Sequence, residues 1–333
     1  MNSLLHLSCG IIILVLFFLS SRASTGDRSY AFYSCFTHCQ DIVCNHSRGD
    51  SYAVDWNQVY PVELSFVEDA VRWGCPGECH YRCMWKAVAA FVGDNQPVPQ
   101  FYGKWPFLRM FGIQEPASAL FSLLNLLLQS FVLWTIWKRV HHDLFIFPYW
   151  VFQYLFSINS FFWSTLFHCS DTPFTEKMDY FGALAFILVS IGTLQKRIFP
   201  RNKYINYFCP LLLASFFLRH VRYMTWERFD YGYNMMVAVA SGLINCFGWL
   251  FWSFFGCDVA QQPYVLHCRI TVVGILGFLS LELCDFKPVA WILDAHALWH
   301  ASSILLIIPW YKFIIGDCQF LLSRQQKIKR KAV

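Results

Sequence analysis

Residues 117–137 read ASALFSLLNLLLQSFVLWTIW, an uncharged apolar run that is long enough to cross the hydrocarbon core of a bilayer, which is about 30 Å thick. Composition points the same way, because only 14% of the residues are charged, whereas a soluble globular chain carries about 25%. The sequence therefore predicts an all-α polytopic membrane protein with seven transmembrane helices in contact with membrane lipid. The six further apolar runs lie at residues 145–168, 180–195, 204–219, 233–255, 265–283 and 290–314.

A shorter apolar run lies at the N-terminus, where residues 11–19 read IIILVLFFL and are followed by Ser21-Arg22-Ala23. A core of this length before a small-x-small pattern is typical of a signal peptide, and we expect cleavage near Ala23. An uncleaved signal anchor is the alternative. In either case the chain enters the secretory pathway, and a cleaved signal leaves the following residues in the lumen.

The segment between the signal and the first long run contains a cluster of six cysteines. The spacings Cys35-x3-Cys39 and Cys75-x3-Cys79-x3-Cys83 place sulfurs on one face of a helix, so two short helices joined by three disulfides would satisfy them. Six cysteines allow fifteen pairings, and spacing alone does not choose among them. A zinc cluster is the rival interpretation, which an oxidising lumen disfavours. The six cysteines are Cys35, Cys39, Cys44, Cys75, Cys79 and Cys83.

Loop charges give the predicted topology a direction. With a lumenal N-terminus, the cytosolic segments carry an excess of lysine and arginine, including Lys138 and Arg139 after the first run. The 219–230 loop, with three arginines, is the exception on the lumenal side. We therefore expect a cytosolic C-terminus. The net charge is a modest +5, and we expect no nucleic-acid partner.

Two short motifs bear on processing and location. Asn45-His46-Ser47 is a glycosylation sequon in the predicted lumenal segment. The chain ends Lys329-Arg330-Lys331-Ala332-Val333, which resembles the dilysine signals that retrieve membrane proteins to the endoplasmic reticulum; an ordinary basic flank is the alternative. We expect a multi-pass protein of the Golgi and/or endoplasmic reticulum membrane.

Three histidines fall at one predicted depth, near the lumenal face. His168 ends the second run, while His296 and His300 lie in the first turns of the seventh. Ionisable residues inside a membrane are costly and usually functional. Taken singly, a histidine at a helix end is more often interfacial, and one H-x3-H pair can serve helix packing. Their shared depth favours a metal site.

The residues around these histidines suggest what such a site would do. Three histidine ligands and one water form a catalytic zinc centre, and zinc brings the pKa of its bound water to about 7. Asp179, which opens the third run, could accept the proton of that water. Ser164, one turn before His168, could hydrogen-bond a developing oxyanion or hold the water.

The order of these residues resembles the CREST superfamily of seven-span hydrolases, which includes alkaline ceramidases and adiponectin-receptor-like proteins. The resemblance covers Ser164, His168, Asp179, His296 and His300. The cysteine segments CFTHCQDIVC (35–44) and CPGECHYRCMW (75–85) are more specifically similar to the Per1-like family. That family implies remodelling of GPI-anchored proteins by hydrolysis of the unsaturated sn-2 acyl ester, a zinc-dependent reaction of phospholipase A2 type.

These interpretations divide the chain into a signal peptide (1–23), a cysteine-rich lumenal domain (24–116), a seven-helix hydrolase domain (117–316) and a basic cytosolic tail (317–333). A ceramidase-like amide hydrolase could use the same five residues on another lipid. A receptor or escort for GPI-anchored proteins, with structural zinc, is the non-enzymatic alternative. A haem protein is weaker, because paired ligation of two haems needs facing histidines across the membrane.

Overall fold

The computed structural model describes residues 24–44, 75–283 and 285–331. The predicted signal peptide (1–23) and the Asn45 sequon lie outside the described residues. Within the described ranges the protein is helical, without β-strands apart from three isolated bridge pairs. Its helices are α1 (Tyr30–Cys39), α2 (Cys75–Gly93), α3 (Pro116–Arg139), α4 (Phe147–Cys169), α5 (Pro173–Ile198), α6 (Lys203–Arg222), α7 (Tyr231–Phe255), α8 (Val265–Leu283) and α9 (Ala295–Lys331).

Seven of these helices, α3 to α9, overlap the seven predicted apolar runs, although α5 and α9 have different bounds. Five of them, α3, α5, α7, α8 and α9, are long and apolar enough to cross a membrane. The prediction of an all-α protein with several membrane helices is confirmed, whereas membrane crossing by α4 and α6 stays a prediction. Both helices contain polar residues: α4 contains Gln153 and several serines, and α6 ends with Arg219 and Arg222.

The described residues form two compact units, and the first contains the cysteine-rich head. This head unit comprises residues 24–44, 75–117, 168–171 and 285–295 of the described chain. Three disulfides join α1 and the turn after it to α2, pairing Cys35 with Cys83, Cys39 with Cys79 and Cys44 with Cys75. The order of the pairs is that of two antiparallel segments. The prediction of three disulfides between two short helices is confirmed.

A small hydrophobic core supports the disulfides of the head unit. Phe32 of α1 is 1% exposed and packs against Phe101, whose ring centroid lies 5.3 Å away. Met84 and Val88 of α2 are also buried in this cluster. Gly26 lies directly against Phe101, since a Cβ atom there would come within 2.8 Å of the ring. This core therefore holds the 100–104 loop against the disulfide-bonded helices α1 and α2.

The second unit, the helical body, comprises residues 118–167, 172–283 and 296–331 of the described chain. Its surface is apolar, with Leu127, Phe251 and Leu305 each more than half exposed. Polar side chains are buried instead, and Ser122 and Asn125 of α3 are both 0% exposed. An apolar surface around a partly polar interior is expected of helices that are surrounded by lipid.

A buried ion pair joins α5 to α9 within the helical body. Arg197 donates two hydrogen bonds of 2.7 Å to the carboxylate of Asp317, which is 0% exposed. The hydroxyl of Tyr264 donates a third to the same carboxylate, at 2.9 Å. A buried carboxylate needs such partners, because an isolated buried charge is very costly.

Candidate metal centre

Two of the predicted metal ligands, at the start of α9, lie within the helical body. His296 and His300 are one helical turn apart, so their side chains share one face of α9. Their Nε2 atoms are 3.0 Å apart. Two imidazole nitrogens facing each other at this distance either share a proton or approach a common cation.

A carboxylate orients the first of these rings. Oε2 of Glu282, near the end of α8, lies 2.8 Å from Nδ1 of His296. An ionised carboxylate can only accept, so Nδ1 carries the proton and the lone pair of the neutral ring is at Nε2. Metal-binding histidines commonly donate their other N–H to a carboxylate in this way. His296 therefore presents Nε2 towards His300, in the orientation that a metal ligand would need.

The backbone of His300 is anchored by a buried amide on α3. Asn125 donates from Nδ2 to the carbonyl oxygen of His300, at 2.9 Å. Ser303 donates from Oγ to Oδ1 of the same amide, at 3.0 Å. Because Asn125 is fully buried, these hydrogen bonds compete little with water and hold the first turns of α9 against α3.

Ser164 is positioned by the same helix, α3. Its hydroxyl lies 3.1 Å from that of Ser122, and both side chains are buried. Ser122 precedes Asn125 by three residues, which places both on one face of α3. The structure thus connects Ser164 and His300 through α3 inside the helical body.

His168 lies in the head unit, at the end of α4, and is 1% exposed. Oε2 of Glu115 is 2.7 Å from its Nδ1 atom. This repeats the arrangement of Glu282 and His296, so His168 also carries its lone pair at Nε2. Two of the three predicted ligands therefore have the carboxylate partner that zinc ligands commonly have, and the donor set fits zinc.

The other predicted site residues are placed as follows. Asp179 is half-buried in the second turn of α5, and its catalytic role stays a prediction. Lys329 is exposed near the end of α9. A second group of possible metal ligands, Cys44, Cys75 and Cys79, lies in the head, but all three sulfurs are engaged in disulfides. The rival zinc cluster is therefore not formed in the head.

Comparison with known proteins supplies the family. A sequence model described as the Per1-like family matches residues 65–318. The chain belongs to the Per1-like family. That confirms the family resemblance, and the match runs from before the second cysteine segment (75–85) into α9.

Curated relatives match this Per1-like chain over nearly its whole length. A Drosophila melanogaster protein named "Post-GPI attachment to proteins factor 3" is 36% identical, with 92% of this chain and 93% of that protein covered. A Xenopus tropicalis protein named "GPI-specific phospholipase A2-like PGAP3" is 39% identical, with 90% and 92% covered. A Homo sapiens protein of the same name is 36% identical, with 92% and 93% covered. No solved structure matches the chain.

Sequence reasoning missed the two carboxylates that orient the histidines. Glu282 carried a usable signal, since it is an acidic residue within the apolar run 265–283. Glu115 carried none, because it precedes Pro116 in a loop without periodicity. Ser122 and Asn125 were missed as well, since small polar residues are unremarkable in a membrane helix.

Proposed function

We propose that this Per1-like protein remodels the lipid of GPI-anchored proteins by hydrolysing the sn-2 acyl ester, using a zinc-activated water near the lumenal membrane face. The observation that carries the proposal is the repeated carboxylate–histidine pair, Glu282 with His296 and Glu115 with His168. The names of the relatives, which specify GPI and phospholipase A2, supply the substrate class and the bond.

His168 completes the proposed ligand set with His296 and His300. Ser164 and His168 are one helical turn apart on α4, the spacing that the resemblance to the seven-span hydrolases requires. Zinc held by the three Nε2 atoms would lower the pKa of a bound water to about 7 and supply a hydroxide nucleophile. Glu115 and Glu282 keep the Nδ1 protons in place, so that each Nε2 lone pair stays available.

The remaining steps are assigned to side chains of this chain. Asp179 takes the proton from the attacking water, whose oxygen forms a bond to the ester carbonyl carbon. Ser164 donates a hydrogen bond to the carbonyl oxygen as negative charge develops there. The bond between that carbon and the glycerol oxygen then breaks, and Asp179 returns the proton to the leaving oxygen. The products are a free fatty acid and a lyso-GPI anchor.

The proposed membrane orientation of the protein puts the metal site on the same side of the membrane as the substrate. A lumenal head and a cytosolic tail (317–333) place the starts of α5 and α9 on the lumenal side, where GPI anchors reside. The proposed domains are a signal peptide (1–23), a cysteine-rich lumenal domain (24–116), a seven-helix hydrolase domain (117–316) and a basic cytosolic tail (317–333). The same proposal includes residence in Golgi or endoplasmic reticulum membranes. It also includes glycosylation of Asn45 and retrieval through Lys329 and Lys331.

The test is complementation of cells that lack the protein. Wild type, His168→Ala and His296→Ala are expressed at equal abundance, and the acyl chains of GPI anchors and cellular ceramides are measured. We expect unsaturated sn-2 chains to persist with both variants. Normal anchors in the variants would refute the catalytic assignment and favour an escort role. Accumulated ceramide with normal anchors would favour a ceramidase-like amide hydrolase.

A further inference from the structure

We propose that Lys104 and Glu115 are positioning residues through which the disulfide-bonded head holds His168 in the orientation that metal binding requires. The inference rests on the proposed function, because it assigns a purpose to one of the three proposed ligands. It also gives the cysteine-rich head a role in the metal centre itself, in addition to any contact with a protein substrate.

The carboxylate of Glu115 is shared between a histidine and a lysine. Its Oε2 atom lies 2.7 Å from Nδ1 of His168, and its Oε1 atom lies 3.8 Å from Nζ of Lys104. The Glu115 side chain is 8% exposed. A carboxylate buried to this degree stays charged only when it has cationic or hydrogen-bonding partners. Lys104 is therefore a cationic partner that helps stabilise the charge on Glu115.

Lys104 is itself held in place by the head. Its ammonium group also forms an ion pair with Asp171, and its backbone exchanges two hydrogen bonds with Phe101, of 2.8 and 3.0 Å. The turn between them is tight, since Tyr102 and Gly103 have φ values of 50° and 82°. Lys104 therefore has a fixed position relative to Phe101.

Phe101 connects this turn to the disulfides. It is 2% exposed and packs on Phe32 of α1, three residues before Cys35. Cys35 is bonded to Cys83 of α2. A continuous set of contacts thus runs from the disulfide through Phe32 and Phe101 to Lys104, and from there to the carboxylate behind His168.

Main-chain hydrogen bonds tie the same loop to the end of α4. The backbone N–H of Glu115 donates to the carbonyl of His168, at 3.0 Å, and that of Gln114 donates to the carbonyl of Cys169, at 3.1 Å. These bonds satisfy carbonyl groups that a helix end leaves open. They fix the backbone of His168 while Glu115 fixes its ring. Removing the charge on Lys104 should therefore disturb the ring and leave the main-chain attachment intact.

The experiment measures the zinc affinity of full-length protein in lipid nanodiscs, by competition with a chromophoric chelator. The variants are Glu115→Gln, Lys104→Met, Lys104→Arg and His296→Ala. Lys86→Met is the matched control, because Lys86 is an exposed lysine on α2 of the same unit. The absorption spectrum of the cobalt-loaded protein and the melting temperature of the metal-free protein are recorded for each variant.

We expect Glu115→Gln to weaken zinc binding by about 10- to 100-fold, the usual effect of losing a carboxylate behind a metal-bound histidine. Lys104→Met should weaken it about 10-fold and shift the cobalt spectrum, whereas Lys104→Arg and Lys86→Met should resemble wild type. The metal-free melting temperatures of Lys104→Met and Lys104→Arg should both equal that of wild type.

Two outcomes separate this inference from the proposed function. If His296→Ala abolishes zinc binding while Glu115→Gln and Lys104→Met bind as wild type does, the positioning role is overturned and the metal centre stands. If His296→Ala leaves zinc binding unchanged, the metal centre itself is refuted, and this inference with it. A lower metal-free melting temperature for Lys104→Met, without rescue by arginine, would also overturn the positioning role and show a purely structural one.

Discussion

Replacing Glu282 by glutamine tests whether this residue of the helical body supports metal binding by His296. The substitution keeps the size of the side chain and removes the charge that accepts the Nδ1 proton of His296. The hydrogen bond is 2.8 Å long; the Glu282 side chain is 14% exposed and the His296 side chain 37% exposed, so solvent screens the pair in part. A hydrogen bond to a charged group contributes about 1.5–3 kcal/mol.

The free energy lost with this hydrogen bond can be expressed as a change in zinc affinity. Since about 1.4 kcal/mol corresponds to a tenfold change in a dissociation constant, the loss predicts zinc binding weakened by about 10- to 100-fold. The range agrees with the usual effect of removing a carboxylate behind a metal-bound histidine, which is also about 10- to 100-fold. Excess zinc should restore activity, because the ligands themselves remain.

The assay compares zinc affinity and ester hydrolysis in nanodiscs for wild type, Glu282→Gln and Glu227→Gln. Glu227 is an exposed glutamate of the same unit, so its replacement controls for the loss of one negative charge. Wild-type affinity in Glu282→Gln would refute the reasoning. An equal loss in Glu227→Gln would show that overall charge, and not the contact with His296, governs the affinity.

Three further substitutions test other parts of the structure. Ser164→Ala should lower the maximal rate by about 100- to 1,000-fold with zinc affinity unchanged, as expected for a lost oxyanion donor; a wild-type rate in single-turnover hydrolysis would exclude that role. Arg197→Met leaves the buried carboxylate of Asp317 without its cation and should destabilise the protein by about 3–5 kcal/mol, which chemical denaturation would measure; a change no larger than that of Arg324→Met, at an exposed arginine, would contradict it. Burial lowers the pKa of His80 below 6.5, with nearby positive charge acting in the same direction, so the unfolded chain takes up the proton more readily. The stability that neutral His80 contributes is complete above about pH 6.5 and is lost as the pH falls below that value. The melting temperature of His80→Gln should therefore fall less on acidification than that of wild type. An equal fall in the two proteins would refute this prediction.

The helical body could be located from sequence because lipid imposes a simple rule on long apolar runs. The boundaries of the helices were harder to predict, since their ends are polar. The predicted run 180–195 is part of α5, which begins at Pro173, where Thr172 accepts a hydrogen bond from the backbone of Thr175. Such a capped first turn is hydrophilic and escapes a search for apolar residues.

In the head unit, the two helices could be predicted from the sequence, but the pairing of the cysteines could not. The spacing of the cysteines predicts two helices with sulfurs on one face, and α1 and α2 have that arrangement. The pairing required the structure, because many partners satisfy the same spacing. Two antiparallel segments admit one nested order, in which Cys35 meets Cys83 and Cys44 meets Cys75.

The candidate site was predictable where its residues share a helix and unpredictable where they come from distant segments. Helical spacing alone placed His296 beside His300. The pairing of His168 with Glu115 depends on a loop 53 residues earlier in the chain, whose path follows from the packing of the head. The loop carries no periodic pattern, so its contribution to the site became visible only in three dimensions.

The activity proposed for the protein is hydrolysis of an acyl ester of GPI with the help of a bound metal ion. The most direct measurement is the release of fatty acid from GPI labelled in its sn-2 chain by the purified protein, after the metal is removed with a chelator and after zinc is added back. We predict that release stops on removal, resumes with zinc and is absent in His296→Ala at every zinc concentration. Fatty-acid release that continues at the same rate in the metal-free protein, or in His296→Ala, would contradict metal-dependent hydrolysis.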